Sequence, residues 1–175
     1  MIRSLMLVVC CVVLMGTSCS GPQLTCGNPL DGTDFGFTLS VPEAFTCASN
    51  SGFAFVFGDI RTNYSQDSMG IGVSVVVSDS QTSGNNEDLA NGTQIDDLGM
   101  ATNTHGLTFD LQKITIDLAK FFDNPALGMR VSYAGGTTLP SGQNLIISVS
   151  ADSDIASMRD TLDAIVATVA PVSTP

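Results

Sequence analysis

Ile155-Ala-Ser-Met158-Arg159-Asp160-Thr-Leu162-Asp163-Ala-Ile165-Val166-Ala-Thr-Val169 is the stretch whose reading decides the fold. Its apolar residues recur at three- and four-residue intervals, while Arg159, Asp160 and Asp163 fall on the opposite side, the signature of an amphipathic helix. Asp152 or Asp154 is positioned to cap its start, because a short carboxylate accepts from free amides at the positive helix end. Pro171 ends it. Most of the earlier apolar runs outside the N-terminal segment alternate with a period of two. One amphipathic helix lying on a mostly antiparallel sheet is an α+β architecture.

Outward from the helix, Leu145 to Val149 reads as the last strand, and Met129, Val131 and Tyr133 as the one before it, with Gly135-Gly136 through Gly142 as the connection. Leu107, Phe109 and Leu111 alternate, and then Ile114, Ile116 and Leu118 alternate on the other parity. Such a slip implies a bulge, or a turn between two strands. Phe35, Phe37, Leu39 and Val41 form an alternating run stopped by Pro42, and Phe53, Phe55, Phe57 and then Ile71, Val73, Val75, Val77 repeat the pattern. These three runs predict an antiparallel meander. Between them and the later strands, the Ser/Gly/Asn-rich run 80–86 predicts a mobile connection, with a short helix at Glu87-Asp88-Leu89-Ala90. No internal repeat is present.

The N-terminus carries an address. Arg3 is followed by an eleven-residue apolar run, Leu5 to Met15, then by small Gly16-Thr17-Ser18 and Cys19. The run is too short to cross a hydrocarbon core, which takes about 20 helical residues. It resembles a bacterial lipoprotein signal, which implies removal of 1–18 and lipidation of Cys19. Ordinary secretion with cleavage near Ser18 is the alternative. The expected organisation is a signal at 1–18, a flexible tether at 19–34, one α+β domain at 35–170 and a tail at 171–175.

Five cysteines sharpen the address. Cys10 and Cys11 leave with the signal, and lipid on Cys19 leaves Cys26 and Cys47, an even pair suited to an oxidising compartment. A Cys26–Cys47 disulfide is expected. Two buried free thiols are the other possibility.

Without residues 1–18 the chain holds 5 basic and 17 acidic side chains, a formal charge of −12. That excess disfavours nucleic acid, whose phosphates require basic patches. It disfavours electrostatic adsorption to anionic lipid as well, so the N-terminal lipid would carry the membrane contact.

Phe37-Thr-Leu-Ser-Val-Pro42-Glu-Ala-Phe45, together with the order of strands, hairpin and final strand leading into the C-terminal helix, resembles the PsbP-like domain over residues 35–170. That resemblance implies an α/β/α sandwich serving as a binding or accessory module, with no catalytic residues to carry over. An all-β sandwich with a trailing helix is the competing architecture.

Few residues suggest chemistry. His105, the only histidine, lies in Asn103-Thr-His105-Gly106 and reads as a solvated turn residue. Neither a Gly-x-Ser-x-Gly elbow nor a phosphate-cradling glycine loop occurs, so no catalytic, cofactor-binding or metal residue is assigned. Asn85-Asn86-Glu87-Asp88 with Asp96-Asp97 could gather oxygens around Ca²⁺, although a solvated loop is the simpler account. Asn63-Tyr-Ser65 and Asn91-Gly-Thr93 match the glycosylation triplet, incidentally in a bacterial lipoprotein.

Phe53, Phe55 and Phe57 could line an apolar pocket between sheet and helix, though simple core is the plainer reading. Phe121-Phe122 cannot both face inward on a strand, so one ring is expected to be exposed or the pair to sit at a loop tip, and an exposed ring there is a modest hint of partner contact. The function expected is a lipid-anchored, extracytoplasmic binding or accessory protein of the cell envelope, non-catalytic, with a possible envelope protein as partner. The alternatives are a carrier of a small apolar ligand and a hydrolase using a carboxylate pair, the latter requiring clustered Asp with raised pKa.

Overall fold

A computed structural model describes residues 24–54, 59–66, 68–78 and 92–172. The order is β1 (Leu30–Gly32), a 3-10 turn (Thr33–Phe35), β2 (Phe37–Leu39), β3 (Thr46–Ala54), β4 (Asp59–Gln66), β5 (Ile71–Ser78), β6 (Thr93–Thr102) and β7 (Thr108–Asp117). It continues with α1 (Leu118–Phe121), β8 (Met129–Thr138), β9 (Asn144–Ala151), α2 (Ser157–Thr168) and β10 (Ala170–Pro171). Mostly antiparallel sheet with a C-terminal helix is an α+β arrangement.

Seven strands form one sheet in the order β3-β4-β5-β9-β8-β7-β6, every pair antiparallel. Two meanders, β3-β4-β5 and β6-β7-β8-β9, therefore meet along the β5–β9 seam. A smaller sheet, β1-β2-β10, stands apart from it.

Alternation along the strands separates two faces. Val73, Val75, Val77, Phe109, Leu111, Val131, Leu145, Ile147 and Val149 point to one side and are all buried. The buried side of α2, made by Met158, Leu162, Ile165 and Val166, joins the same cluster, as do Leu30, Phe37 and Leu39 of the small sheet. Each such side chain contributes about 1.5–3 kcal/mol relative to leaving it in water.

Several expectations are corrected. Phe35 belongs to the 3-10 turn, and Gly36 at φ 79° ends it, so only Phe37–Leu39 is strand. That strand pairs with β1 and β10 in the small sheet and takes no part in the first meander, whose members are β3, β4 and β5.

Part of the segment read as a tether is folded. Thr25 bridges to Asp31 in a hairpin with a cis Asn28–Pro29 bond, and Leu24 and Leu30 enter the core. Composition misled here because a few apolar residues among Gly, Asn and Pro suffice to seat a hairpin. At the other end, Pro171 lies in β10 beside Phe37, and the Val172 amide donates to the Gly36 carbonyl.

β7 runs unbroken against β8 from Asp110 to Asp117, so the change of parity after Leu111 is neither a bulge nor a turn. Ile114 and Ile116 simply face the side away from α2. Gly135-Gly136 sits inside β8, and the true connection is the turn at 139–143. Gly135 has a packing reason for lacking a side chain. A Cβ there would come within 3.1 Å of Leu111 and 3.4 Å of Val166, so the glycine lets α2 approach the sheet closely.

Asp152 and Asp154 do not cap α2. Its N-cap is Ala156, with no side-chain hydrogen bond. Asp154 is drawn instead to Lys113, whose Nζ donates to its carboxylate at 2.6 Å, and accepts from the Tyr133 hydroxyl at 3.1 Å.

Candidate functional site

The face of the large sheet turned away from α2 is built by cross-strand register. Asn63 lies opposite Ser74, Ser74 opposite Ser148, and Ser148 opposite Ala134. The next rank runs Ser65, Gly72, Ser150, Ser132. On the far side of the first rank come Arg61, Val76, Ile146 and Gly136. Small and hydroxyl-bearing side chains occupy the centre, and because they stand only a short way above the backbone they leave a shallow floor.

Two open depressions adjoin on this face and share Ile146. The larger, about 540 Å³, is lined by Arg61, Asn63, Ser74, Ser148, Ser150 and Arg130 among others. The smaller, about 520 Å³, extends over β7 and takes in Asp110, Gln112, Ile114 and Met100.

Arg130 is held in position. Its Nη2 donates to Ser150 Oγ at 2.9 Å, and its Nη1 lies 3.8 Å from the Asp152 carboxylate. That ion pair is loose and solvent-facing, so it neutralises little of the guanidinium charge. Asn63 is half-buried, and the Ser74 hydroxyl is buried without a hydrogen-bond partner. A hydroxyl so placed forfeits the bonds it made to water, a cost of about 1–3 kcal/mol that a bound group could recover.

Of the residues singled out in the sequence, Cys26 and Cys47 are joined as a disulfide with Cα atoms 6.0 Å apart and a separation of 21 residues. It fastens the hairpin before β1 to the start of β3. Beside it the Gly27 carbonyl accepts from the Tyr64 hydroxyl at 2.8 Å. Burial pushes the Tyr64 pKa up, and that hydrogen bond opposes the shift in part. Cys19 lies outside the described residues.

His105 is exposed at the β6–β7 turn, its amide donating to Asn103 Oδ1. Asp96 accepts from Gln94 Nε2 at 2.8 Å, and Asp97 from the Gly99 amide at 2.7 Å at the β6 bulge. Residues 85–88, the other half of the supposed Ca²⁺ group, and the helix expected at 87–90 lie outside the described residues. Among the described residues no three His, Cys, Asp or Glu come together as a metal site.

Phe121 and Phe122 are both exposed, at 43% and 61%, and pack edge to face at 4.8 Å where α1 ends. Phe55, Phe57 and the side chain of Phe53 lie outside the described residues. The space between sheet and α2 is occupied by Met158, Leu162, Ile165 and Val166, none more than 4% exposed.

Among the described residues, three carboxylates have pKa values held down. Asp31 is lowered by hydrogen bonds from the Thr33 hydroxyl and amide, Asp117 by bonds from Lys120, and Asp154 by the bond from Lys113. Lys113 is correspondingly raised by its bond to Asp154, with its Nζ 5.6 Å from the centre of the Tyr133 ring. Groups ionised this firmly do not deliver protons at neutral pH.

The arginine-flanked serine floor could not be found by any local motif, because Asn63, Ser74, Ser132 and Ser148 are dispersed along the sequence. Among the described residues no helix is long and apolar enough to cross a membrane. No protein-family model matches the chain. No curated protein matches it either.

Proposed function

We propose that the protein is a non-catalytic binding or accessory module of the bacterial cell envelope, anchored through lipid on Cys19 and binding through the sheet face opposite α2. The observation that carries this reading is the depression of about 540 Å³ whose polar floor includes an unpartnered buried hydroxyl on Ser74. The Cys26–Cys47 disulfide supports the location, since such bonds persist in exported compartments. The PsbP-like resemblance supports an accessory role over residues 35–170. An envelope protein or another envelope component is the partner class.

A photo-crosslinking side chain at Ser148, compared with one at Asp160 on the exposed side of α2, tests the proposal in intact cells. Adducts from position 148 that are absent from position 160 are expected. Adducts from 160 alone would overturn the choice of face. A C19S chain should leave the membrane fraction, and retention there would overturn the lipid anchor.

A further inference from the structure

Exposed apolar side chains gather at one end of the large sheet. Of the seven large hydrophobic side chains exposed among the described residues, Phe121, Phe122, Leu127 and Met129 lie at the β7–β8 connection and Met69 in the β4–β5 turn. The other two, Leu98 and Met100, lie along the edge strand β6. Register puts both connections at the same end. Gln66 pairs with Ile71 at the close of β4, Gly72 with Ser150, Ala151 with Val131, and Met129 with Asp117 at the close of β7. Each strand turns about 20–25° from its neighbour, so β4 and β7, two places either side of the central β9, splay by about 45° each and keep these ends in one half of the molecule.

The β7–β8 connection is ordered, and it holds its rings outward. The Leu118 amide donates to the Gly128 carbonyl and closes the neck, the Asn124 amide donates to the Ala119 carbonyl, and Asn124 Oδ1 accepts from the Ala126 amide. Asp123, directly after the two phenylalanines, has φ 49°, the one positive value among the described non-glycine residues. Apolar surface kept in water by a structured loop marks a contact surface.

What it contacts follows from where the chain enters the domain. Cys26 is bonded to Cys47, which pairs with Tyr64 close to the same end of β4. Leu24 is buried two residues before Cys26, and only five residues of chain lead to it from Cys19, a reach of at most about 18 Å. β7, with 10 residues, is about 33 Å long, nearly twice that reach. A lipid on Cys19 therefore brings the near end of the sheet to the bilayer and leaves the β6–β7 turn away from it. Charge at this end is mixed, with Lys120 paired to Asp117, Arg130 facing Asp152, and Asp123 beside the rings. That balance exerts little pull on anionic headgroups, so the contact is an apolar one.

We propose that the β7–β8 connection is a second membrane contact. Phe121 and Phe122, with Leu127 and Met129, enter the boundary between headgroups and acyl chains of the bilayer that holds Cys19, and Met69 meets it near the tether. The proposal rests on the lipid anchor of the preceding reading and adds a docked orientation. Aromatic and long apolar side chains bury area at such a boundary without requiring charge. The sheet then stands on its end, and the serine-floored face opposite α2 stays clear of lipid and open to a partner.

The test places the lipidated chain in vesicles of neutral phosphatidylcholine at 0.15 M salt, with the Cys26–Cys47 disulfide kept oxidised. One environment-sensitive fluorophore is attached through A126C in the connection or T104C in the β6–β7 turn, both exposed positions. Doxyl-labelled phosphatidylcholine should quench the label at 126 at least threefold more than the label at 104, and raising the salt to 1 M should not change that ratio. F121S/F122S should bring quenching at 126 down to the level at 104 while the chain still floats with the vesicles, and F121L/F122L should retain most of it.

Equal quenching at the two positions, in a chain that floats with the vesicles and whose Cys19 peptide carries the acyl mass, would overturn the docked end and keep the anchor. The same result with F121S/F122S abolishing crosslinks from position 126 to an envelope protein would give the rings to a protein partner instead. A Cys19 peptide without acyl mass would overturn the anchor, and with it the placement of this end.

Discussion

Asn103, at the turn between β6 and β7, donates from Nδ2 to the carbonyl of Val166 at 3.0 Å, 63 positions further along the chain. The same amide reaches the Val169 carbonyl at 2.8 Å, while its Oδ1 accepts from the amides of His105 and Leu107. Carbonyls at a helix C-terminus have no partner within the helix. One side chain thus closes the end of α2 and the hairpin beneath it together.

Replacing that residue should be costly. N103A is expected to lower unfolding free energy by about 2–3 kcal/mol, through the lost bonds and the carbonyls left unpaired. The urea midpoint should drop with an unchanged m-value, and a midpoint within error of the parent would contradict the account.

Gly135 and Gly136 are neighbours with opposite prospects. G135A places a Cβ 3.1 Å from Leu111 and 3.4 Å from Val166, and should cost about 1–3 kcal/mol by pushing α2 from the sheet. G136A meets nothing within 4 Å and should be neutral or stabilising by up to about 1 kcal/mol, because it restricts the unfolded chain. Thermal unfolding of the two variants should show midpoints moving apart, with G135A lower.

The Lys113–Asp154 pair gives stability a defined pH dependence. Asp154 is shifted below its unfolded value, so its contribution is present above about pH 4 and disappears as the pH falls further. Lys113 is shifted up, so its contribution is present below about pH 10.4 and is lost as the pH rises through the raised value. D154N should flatten part of the acid-side decline in urea midpoint between about pH 4 and pH 2, and high salt should shrink the difference from the parent. An acid limb unchanged by D154N would show that the pair is inert.

Removing the disulfide through C26A/C47A should cost about 3 kcal/mol, the value expected for closing a loop of some 20 residues. Denaturation with and without reductant provides an internal check. Reductant should lower the parent's midpoint and leave that of the double variant unchanged.

What the sequence disclosed follows from burial. α2, β5 and β9 each press one face into the core, and their apolar residues repeat with the matching period. β6 left no such trace, because it is an edge strand with little buried on either side and is held mainly by backbone bonds to β7. β4 reads as polar although Thr62 and Tyr64 are buried within it. Ile114 and Ile116 suggested a break only because apolar residues were assumed to share one side. The candidate face was illegible for a different reason. Its serines and arginines are separated by up to scores of residues, and only strand register assembles them.

The seam between β5 and β9 also governs the order in which the molecule can form. Val75 finds its partner in Ile147, so the first meander has no neighbour on its inner edge until nearly the whole chain has been made. The second meander contacts itself locally through successive hairpins and can assemble alone. Closing the long loop between the two halves is therefore the entropic bottleneck expected to limit folding speed. Until it closes, β5 offers an unpaired, valine-rich edge to any other strand nearby, and newly made copies are most vulnerable to aggregation during that interval.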